Sequence, residues 1–210
     1  MRTYALISQK GGAGKSTLAR QLAVLAAETG PALLIDRDPQ ATTSKWLERR
    51  QKLRPDLDNP NLLDLEGKRL PEVVTALKRQ PGSILVDTRP AVQEPEAEAA
   101  RVADLVIVPV RPSLDDLEAV GDTLVMLRRL GRRTVLVVNA AKNAARAKDA
   151  RAALAAYPVA VSPVHLGDRA VYLDASMEGR GVIEMHGAQA RAAADELRQL
   201  WAWIEEQANG

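Results

Sequence analysis

The fold of this chain is decided by a nine-residue stretch, QKGGAGKST, at residues 9–17. A short apolar run, Tyr4–Ile7, precedes it, and a helical pattern from Leu18 to Ala27 follows it. The order strand, glycine-rich loop and helix points successive backbone N–H groups into one concavity at a helix N-terminus, where a bound anion is stabilised. Glycine allows this close approach because it carries no Cβ. The stretch therefore predicts a site for the phosphates of a nucleoside triphosphate.

The side chains of this loop suggest a role for each position. In a loop of this type Lys15 reaches the β- and γ-phosphates, and the hydroxyl of Ser16 ligates Mg²⁺. The usual pattern has glycine where this chain has Gln9, and the chain carries an additional lysine, Lys10. The expected nucleotide contacts of the loop are Gly11, Gly12, Ala13, Gly14, Lys15, Ser16 and Thr17. A glycine-rich turn with two solvated lysines is the alternative, and the agreement of strand, loop and helix argues against it.

The composition limits the class of protein. The chain has 210 residues, of which 46% are apolar and 3% aromatic, and it has no phenylalanine. This suits one α/β domain over residues 1–210 with a core of Ala, Leu and Val. The absence of cysteine excludes disulfides, thiolate zinc sites and cysteine-ligated iron–sulfur clusters. We expect a cytoplasmic protein with no leader and no membrane attachment, because residues 2–8 run straight into the loop and no apolar stretch approaches the roughly 20 residues that span a bilayer.

Apolar runs and helical patterns alternate along the chain. Residues 53–61 hold turn-forming residues and are predicted as a loop. Strands are predicted at residues 4–7, 32–36, 83–87, 105–109 and 135–139, with a short one near 159–165. Helices are predicted at residues 18–27, 41–51, 71–79, 114–130, 144–156 and 188–207. This alternation is typical of a doubly wound, mostly parallel α/β sheet with the P-loop NTPase arrangement.

Candidate site residues stand at the carboxyl end of each long predicted strand. In a parallel sheet these ends share one edge, which is where ligands bind. The segments concerned are Lys10–Thr17, Asp36–Asp38, Asp87, Pro109 and Asn139. Asp36, Asp38 and Asn139 are also compatible with ordinary turns, since Asp and Asn are common turn residues. Their convergence on one edge favours a single site.

Two motifs resemble the ParA/MinD class of ATPases. The order Lys-Gly-Gly-x-Gly-Lys-Ser at residues 10–16 resembles the deviant Walker A box of that class, and Asp36–Gln40 resembles its Asp-x-Asp-Pro-Gln box. The nitrogenase iron protein resembles the chain in the loop as well, but it needs cysteines. The resemblance implies ATP and Mg²⁺ as cofactors and an ATP-dependent homodimer.

The resemblance also implies roles for individual residues. Lys10 would reach across the dimer interface to the nucleotide of the partner, and Asp38 would position the attacking water. Asp36 and Asp87 would hold waters of a Mg²⁺ ion that Ser16 ligates. Asn139 would contact the adenine. The catalytic residues implied are thus Lys10, Lys15 and Asp38.

The resemblance covers nearly the whole chain. Pro109–Ser113, Arg169–Tyr172 and Glu178–Gly179 resemble segments of small ParF-type plasmid partition ATPases. The chain departs from the class at Arg89, two residues after the Walker B acid Asp87. Two interpretations of Arg89 remain open, a charge sensor beside the γ-phosphate and a side chain that points to solvent.

Charge is unevenly distributed along the chain, although the net charge is only +2. Residues 128–151 carry eight basic residues against one acid, and residues 94–98 carry three glutamates at alternate positions. A polarised surface is one interpretation, and ordinary solvated helix faces are the other. Arg146, Lys148 and Arg151 follow one another at helical spacing and predict a basic stripe that binds DNA phosphates. Arg169 and Arg180 would extend this stripe.

Together these observations predict a ParA-type ATPase that dimerises on ATP and binds DNA without sequence preference. It would drive plasmid or chromosome partition, or position another cargo, near the nucleoid. A small activator of the ParB or ParG type, bound to the cargo or centromere, would stimulate its slow hydrolysis. One alternative is a metabolic P-loop enzyme of the same fold, similar to dethiobiotin synthetase, against which Lys10 and the Asp-Pro-Gln box argue. A nucleotide-switched adaptor without significant hydrolysis is the other, if Asp38 does not position water.

Overall fold

The computed structural model describes residues 1–209 and contains one seven-stranded sheet. Its strand order is β3-β2-β4-β1-β5-β6-β7, and every neighbouring pair is parallel. The strands are β1 (Arg2–Leu6), β2 (Ala32–Asp36), β3 (Asn61–Leu62), β4 (Ser83–Asp87), β5 (Leu105–Val110), β6 (Thr134–Val138) and β7 (Ala160–Val161). The predicted doubly wound α/β sheet is confirmed, and its strands are all parallel.

Eight α-helices cover the sheet. They are α1 (Lys15–Ala26), α2 (Thr42–Leu53), α3 (Leu70–Leu77), α4 (Glu94–Val102), α5 (Leu114–Arg129), α6 (Ala144–Leu154), α7 (Val171–Met177) and α8 (Ala188–Asn209). A short 3₁₀ helix, Val182–Glu184, lies between the last two. Within the described residues, none of these helices is both long and apolar enough to cross a bilayer.

Each face of the sheet carries its own apolar core. Successive side chains of a strand point to opposite faces, so Tyr4 and Leu6 of β1 face one core while Ala5 and Ile7 face the other. Helices α1, α2, α7 and α8 pack on the first face, and α3, α4, α5 and α6 pack on the second. Burial on both faces explains why the strands are continuous apolar runs without alternation.

Three elements differ from the predictions. Helix α4 starts where only an acidic cluster was noted, because the Glu96 carboxylate accepts a hydrogen bond from the Gln93 backbone N–H at 3.1 Å and completes a capping box. Strand β3 overlaps the predicted loop 53–61 and has only two residues. Helix α7 has seven residues, too few to display a clear period. Short elements are fixed by tertiary contacts, which sequence patterns do not record.

The register of the central strands positions the site. Leu6 of β1 lies opposite Asp87 of β4, and Asp87 lies opposite Asp36 of β2. The chain leaves β1 for β2 on one side of the sheet and later crosses from β4 over β1 to β5 on the other side. The carboxyl end of β1 is therefore a topological switch point, where a crevice opens between diverging loops.

Candidate nucleotide site

The loop between β1 and α1 has the backbone of an anion cradle. Gly12 and Gly14 adopt left-handed φ angles of 78° and 97°. A Cβ on Gly14 would lie 2.1 Å from Nδ2 of Asn139, so glycine is required there. No side chain caps the start of α1, which leaves the N–H groups of its first turn available to an anion.

Lys15 places a buried cation beside this cradle. Its side chain is 5% exposed, and its amino group donates to the carbonyl oxygen of Lys10 at 3.4 Å. Burial lowers the pKa of Lys15, and the charges of Asp87, Asp38 and Glu96 oppose that shift without cancelling it. Within residues 1–209 no carboxylate forms an ion pair with Lys15, so its charge is available to a bound anion.

Asp87 ends β4 as a fully buried carboxylate. Its Oδ2 accepts a hydrogen bond from the hydroxyl of Thr43 at 2.6 Å, whereas its Oδ1 is buried without a partner among residues 1–209. Burial raises the pKa of Asp87 to about 6, although the hydroxyls of Thr43 and Ser16 favour the charged form. A buried, unpaired carboxylate oxygen is costly, so it fits a partner that arrives with the ligand.

Asp36 and Asp38 occupy the turn after β2 and differ in their engagement. Asp36 accepts hydrogen bonds from the backbone N–H of Asp38 at 3.0 Å, from the Ser44 N–H at 2.8 Å and from the Ser44 hydroxyl at 3.0 Å. It thus caps the first turn of α2, whose own N-cap residue is Ala41. Asp38 accepts one hydrogen bond, from the Gln40 N–H at 2.9 Å, and is half-buried. Asp38 is the freer carboxylate.

The donor set fits Mg²⁺ held mainly through water and phosphate. In the described chain no group of three or more histidine, aspartate or glutamate residues is arranged to hold a metal ion. Mg²⁺ usually keeps several waters and is bound by one or two protein groups plus substrate phosphates. Ser16, the unpaired Oδ1 of Asp87 and the carboxylate of Asp36 suit that role.

A cavity of about 140 Å³ extends from the loop on the β6 side. Asn139 lines it and donates from Nδ2 to the Ala13 carbonyl oxygen at 2.8 Å. Leu18, Arg111 and Tyr172 also line this cavity. Leu18 and Tyr172 offer apolar contact beside polar groups, a mixture that suits a nucleobase.

The sequence interpretation missed four residues of this edge. Thr43 and Ser44 donate hydrogen bonds to the carboxylates of Asp87 and Asp36, but a Thr-Ser pair in a helix carries no signal of its own. A guanidinium nitrogen of Arg111 lies 3.7 Å from the point where a Cβ on Gly12 would stand. The two residues are far apart in the sequence, so only the folded structure reveals this approach. Arg20 bonds the Ser16 carbonyl oxygen at 3.0 Å and the Ser176 hydroxyl at 3.1 Å, linking α1 to α7.

Lys10 and Arg89 lie near the loop in different situations. The amino group of Lys10 is 3.8 Å from Oδ2 of Asp115, and these side chains are 44% and 78% exposed. An exposed pair of this kind is weak, so Lys10 is free to take another partner. Arg89 donates to the Glu96 carboxylate at 2.9 Å and to Gln93 at 2.8 Å. It fastens the start of α4 to the end of β4, which matches neither earlier interpretation.

The five predicted DNA-contacting residues do not form one stripe. On α6 the buried line Ala147, Ala150 and Leu154 separates Arg146 from Arg151, which are rotated by about 140° at 3.6 residues per turn. Of the five residues, Arg146 and Lys148 are exposed to solvent. The other three are engaged: Arg151 with the Pro163 carbonyl, Arg169 with Glu196 and Arg180 with Glu178.

Comparison with known proteins identifies related sequences. The family model of the CobQ/CobB/MinD/ParA nucleotide binding domain matches residues 4–180. The chain is 26% identical over 205 residues to "Maintenance of carboxysome distribution protein A" of Gloeobacter kilaueensis, covering 95% of this chain and 92% of that protein. It is 29% identical over 153 residues to a "Probable plasmid-partitioning protein ParA" of Thermus thermophilus, covering 56% of this chain and 47% of that protein.

Solved structures share the fold. The septum site-determining protein MinD of Pyrococcus horikoshii, complexed with Mg-ADP, superposes with a TM-score of 0.77 at 21% identity, covering 99% of this chain and 97% of that one. A McdA variant of Cyanothece in complex with ATP superposes with a TM-score of 0.74 at 18% identity, covering 100% of this chain and 96% of that one. At these identities the likeness concerns the fold.

Proposed function

The chain belongs to the CobQ/CobB/MinD/ParA nucleotide binding domain family, and on this basis we propose that it is an ATPase whose ATP-bound dimer binds DNA and positions a cargo. The observation that carries the proposal is the pairing of two features at one sheet edge. One is the loop with its additional lysine, Lys10, and the other is the Asp36–Gln40 turn with its freer carboxylate, Asp38.

Within the site, this chain's own groups bind and orient the nucleotide. The first-turn amides of α1 and the ammonium of Lys15 hold the phosphates, and Asn139 lies beside the base cavity. Bound Mg²⁺ would supply neutralisation of phosphate charge. Asp38 holds the attacking water, since little covalent help is needed when the nucleophile is oriented.

Lys10 is assigned to the partner's nucleotide. Its weak contact with Asp115 leaves the ammonium accessible at the rim of the loop. A phosphate supplied by a second copy would replace that carboxylate with a group of higher charge. Dimerisation would therefore depend on ATP, because two nucleotides form part of the interface.

The dimer's output is inferred from chemistry and from relatives. Exposed cations such as Arg146 and Lys148 attract phosphates without sequence preference. The relatives of Gloeobacter kilaueensis and Thermus thermophilus are named for carboxysome distribution and for plasmid partitioning. A plasmid and a protein compartment are thus the two cargo classes that we propose, with a small cargo-bound activator protein and a nucleoid location.

Steady-state ATP hydrolysis measured with Mg²⁺, with and without duplex DNA, tests the proposal. We expect slow turnover that DNA or the cargo-bound activator accelerates, and none in Lys15→Ala. A nucleotide-switched adaptor would bind ATP without turnover under any of these conditions. A metabolic enzyme of the same fold would turn over ATP only with a small second substrate and would ignore DNA.

A further inference from the structure

The basic segment 128–151 is divided by the fold into two separate surfaces. Strand β6 runs between them, and its five residues span roughly 16 Å at about 3.3 Å per residue. Lys142 and Arg146 lie beyond its carboxyl end, on the side of the nucleotide loop. Arg128, Arg132 and Arg133 lie before its amino end, at the opposite edge of the sheet. The second group has no part in the function proposed above.

These three arginines border a groove of about 840 Å³. One wall is the second half of α5, the other is the turn from α6 into β7, and the floor is the start of β6. Val125 is 50% exposed on the α5 wall, and Tyr157 belongs to the other wall. The hydroxyl oxygen of Tyr157 lies 3.6 Å from the point where a Cβ on Gly121 would stand, so this end of the tyrosine rests against α5.

The rim of the groove is positively charged. Asp122 is the one acid among its lining residues, against Arg128, Arg132 and Arg133. None of the three arginines forms an ion pair within residues 1–209. Arg132 donates to the Ala103 carbonyl oxygen at 2.6 Å, whereas the guanidinium groups of Arg128 and Arg133 have no hydrogen-bond partner in that range. The rim therefore presents unneutralised charge beside apolar walls.

We propose that this groove binds a short acidic, amphipathic peptide segment of a partner protein. Its apolar side chains would pack between Val125 and Tyr157, and its carboxylates would pair with Arg128 and Arg133. Buried apolar contacts supply affinity, and opposite charges at the rim select the partner and fix its register. A volume of this size holds a few side chains, which suits a peptide segment.

Two other occupants fit the groove less well. Nucleic acid is attracted by cations along its backbone, and it would leave the apolar walls unfilled. Among the acidic segments that a second copy would bring, residues 94–98 carry three glutamates at alternate positions. That segment is engaged within the chain, because Glu96 is buried and the other two glutamates pair with Arg101 and Arg37.

The test selects binders from a display library of random 12-residue peptides on the full-length protein without nucleotide. Peptides that also bind the Val125→Asp variant are removed, since these bind outside the groove. We expect enriched sequences that combine acidic and apolar residues. A synthetic consensus peptide should bind the wild-type protein, as measured by fluorescence anisotropy. Its affinity for the double variant Arg128→Glu with Arg133→Glu should be at least tenfold lower. Arg129→Glu is the matched control, because Arg129 is exposed next to Arg128 but does not line the groove.

Three results would overturn the proposal. One is a selection that yields no acidic-apolar sequences. Another is a consensus peptide that binds the double variant, shown by circular dichroism to be folded, as tightly as the wild type. The third is displacement of the peptide by a 20-base-pair DNA duplex, which would assign the groove to nucleic acid. Because the groove and the nucleotide cavity share no lining residue, a loss of ATPase activity has no bearing on these outcomes.

Discussion

Lys15 carries its charge in a buried position at the start of α1, where burial lowers its pKa and no carboxylate pairs with it in residues 1–209. Lys15→Ala should therefore remove the main side-chain partner of the β- and γ-phosphates. We expect ATP affinity to fall at least a hundredfold in isothermal titration calorimetry. Lys52→Ala is a matched control, since Lys52 is exposed on α2 away from the loop. Unchanged ATP affinity in Lys15→Ala would remove the loop from the nucleotide site.

Asp38 has one protein hydrogen bond, whereas Asp36 has three. Asp38→Ala should keep ATP binding and reduce kcat at least tenfold, because the phosphate contacts remain while the water is not oriented. Asp36→Ala should in addition lower the melting temperature, since it removes the cap of α2. Turnover at the wild-type rate in Asp38→Ala would remove this carboxylate from the mechanism.

The glycine-lysine spacing and the strand ends are local features, so the sequence could predict where the loop residues and the strand-end acids lie. Thr43, Ser44 and Arg111 were missed since they act through contacts between separate elements. The roles of the predicted site residues stay predictions until variants are measured.

Among the elements, α2 is tied to the C-terminal 3₁₀ helix by a bidentate ion pair. The guanidinium of Arg50 is 2% exposed and donates to both carboxylate oxygens of Glu184 at 2.7 Å. Glu184→Gln should lower the free energy of unfolding by about 3 kcal/mol at neutral pH, because it leaves Arg50 buried and without its counter-charge. Urea denaturation measures this. Glu178→Gln, which breaks the exposed pair with Arg180, should cost less than about 1 kcal/mol.

The same pair sets a pH dependence of stability. Burial raises the pKa of Glu184, but the hydrogen bonds from Arg50 and the Gly181 amide outweigh burial and hold that pKa below its usual 4.5. The folded state therefore binds the proton less tightly than the unfolded state. The stabilisation should be complete above about pH 4.5 and disappear as pH falls through the lowered pKa. A stability difference between wild type and Glu184→Gln that persists unchanged to pH 2 would contradict this.

The long strands and most helices were predictable from the sequence, as were the short α3 and β7, whereas β3, α4 and α7 were not. Strands β1, β2, β4, β5 and β6 and helices α1, α5 and α8 are long enough for apolar runs or caps to define them. Helix α4 depends on a Gln93–Glu96 capping box whose first residue is an uncommon N-cap, and β3 depends on pairing with β2. Such elements exist because the fold holds them in place.

For the whole molecule, the family and the doubly wound sheet are confirmed, while one domain over residues 1–210 stays a prediction. The basic surface was predicted as one stripe, and three of its five cations are engaged within the chain. Pairing across the fold decides which charges are free, and a sequence does not record it.

The surface charge gives a prediction for DNA. The double variant Arg146→Glu with Lys148→Glu should weaken binding to duplex DNA at least tenfold and make the slope against log salt less negative by about 2, since each phosphate contact contributes roughly −0.9. Arg129→Glu, at the other edge of the sheet, should change neither. A titration against salt by fluorescence anisotropy measures both. Sequence-specific or salt-insensitive binding would contradict the account.

ATP-dependent dimerisation is the central claim, and sedimentation velocity tests it most directly. We expect the 22.7 kDa chain to double in mass with ATP and Mg²⁺ but not with ADP. Lys10→Ala should remain a monomer while calorimetry shows that it still binds ATP. Asp115→Ala, which removes the neighbour of Lys10 within its own chain, should dimerise at least as well as the wild type. A wild-type chain that stays monomeric with ATP, or a Lys10→Ala variant that dimerises equally well, would contradict the account.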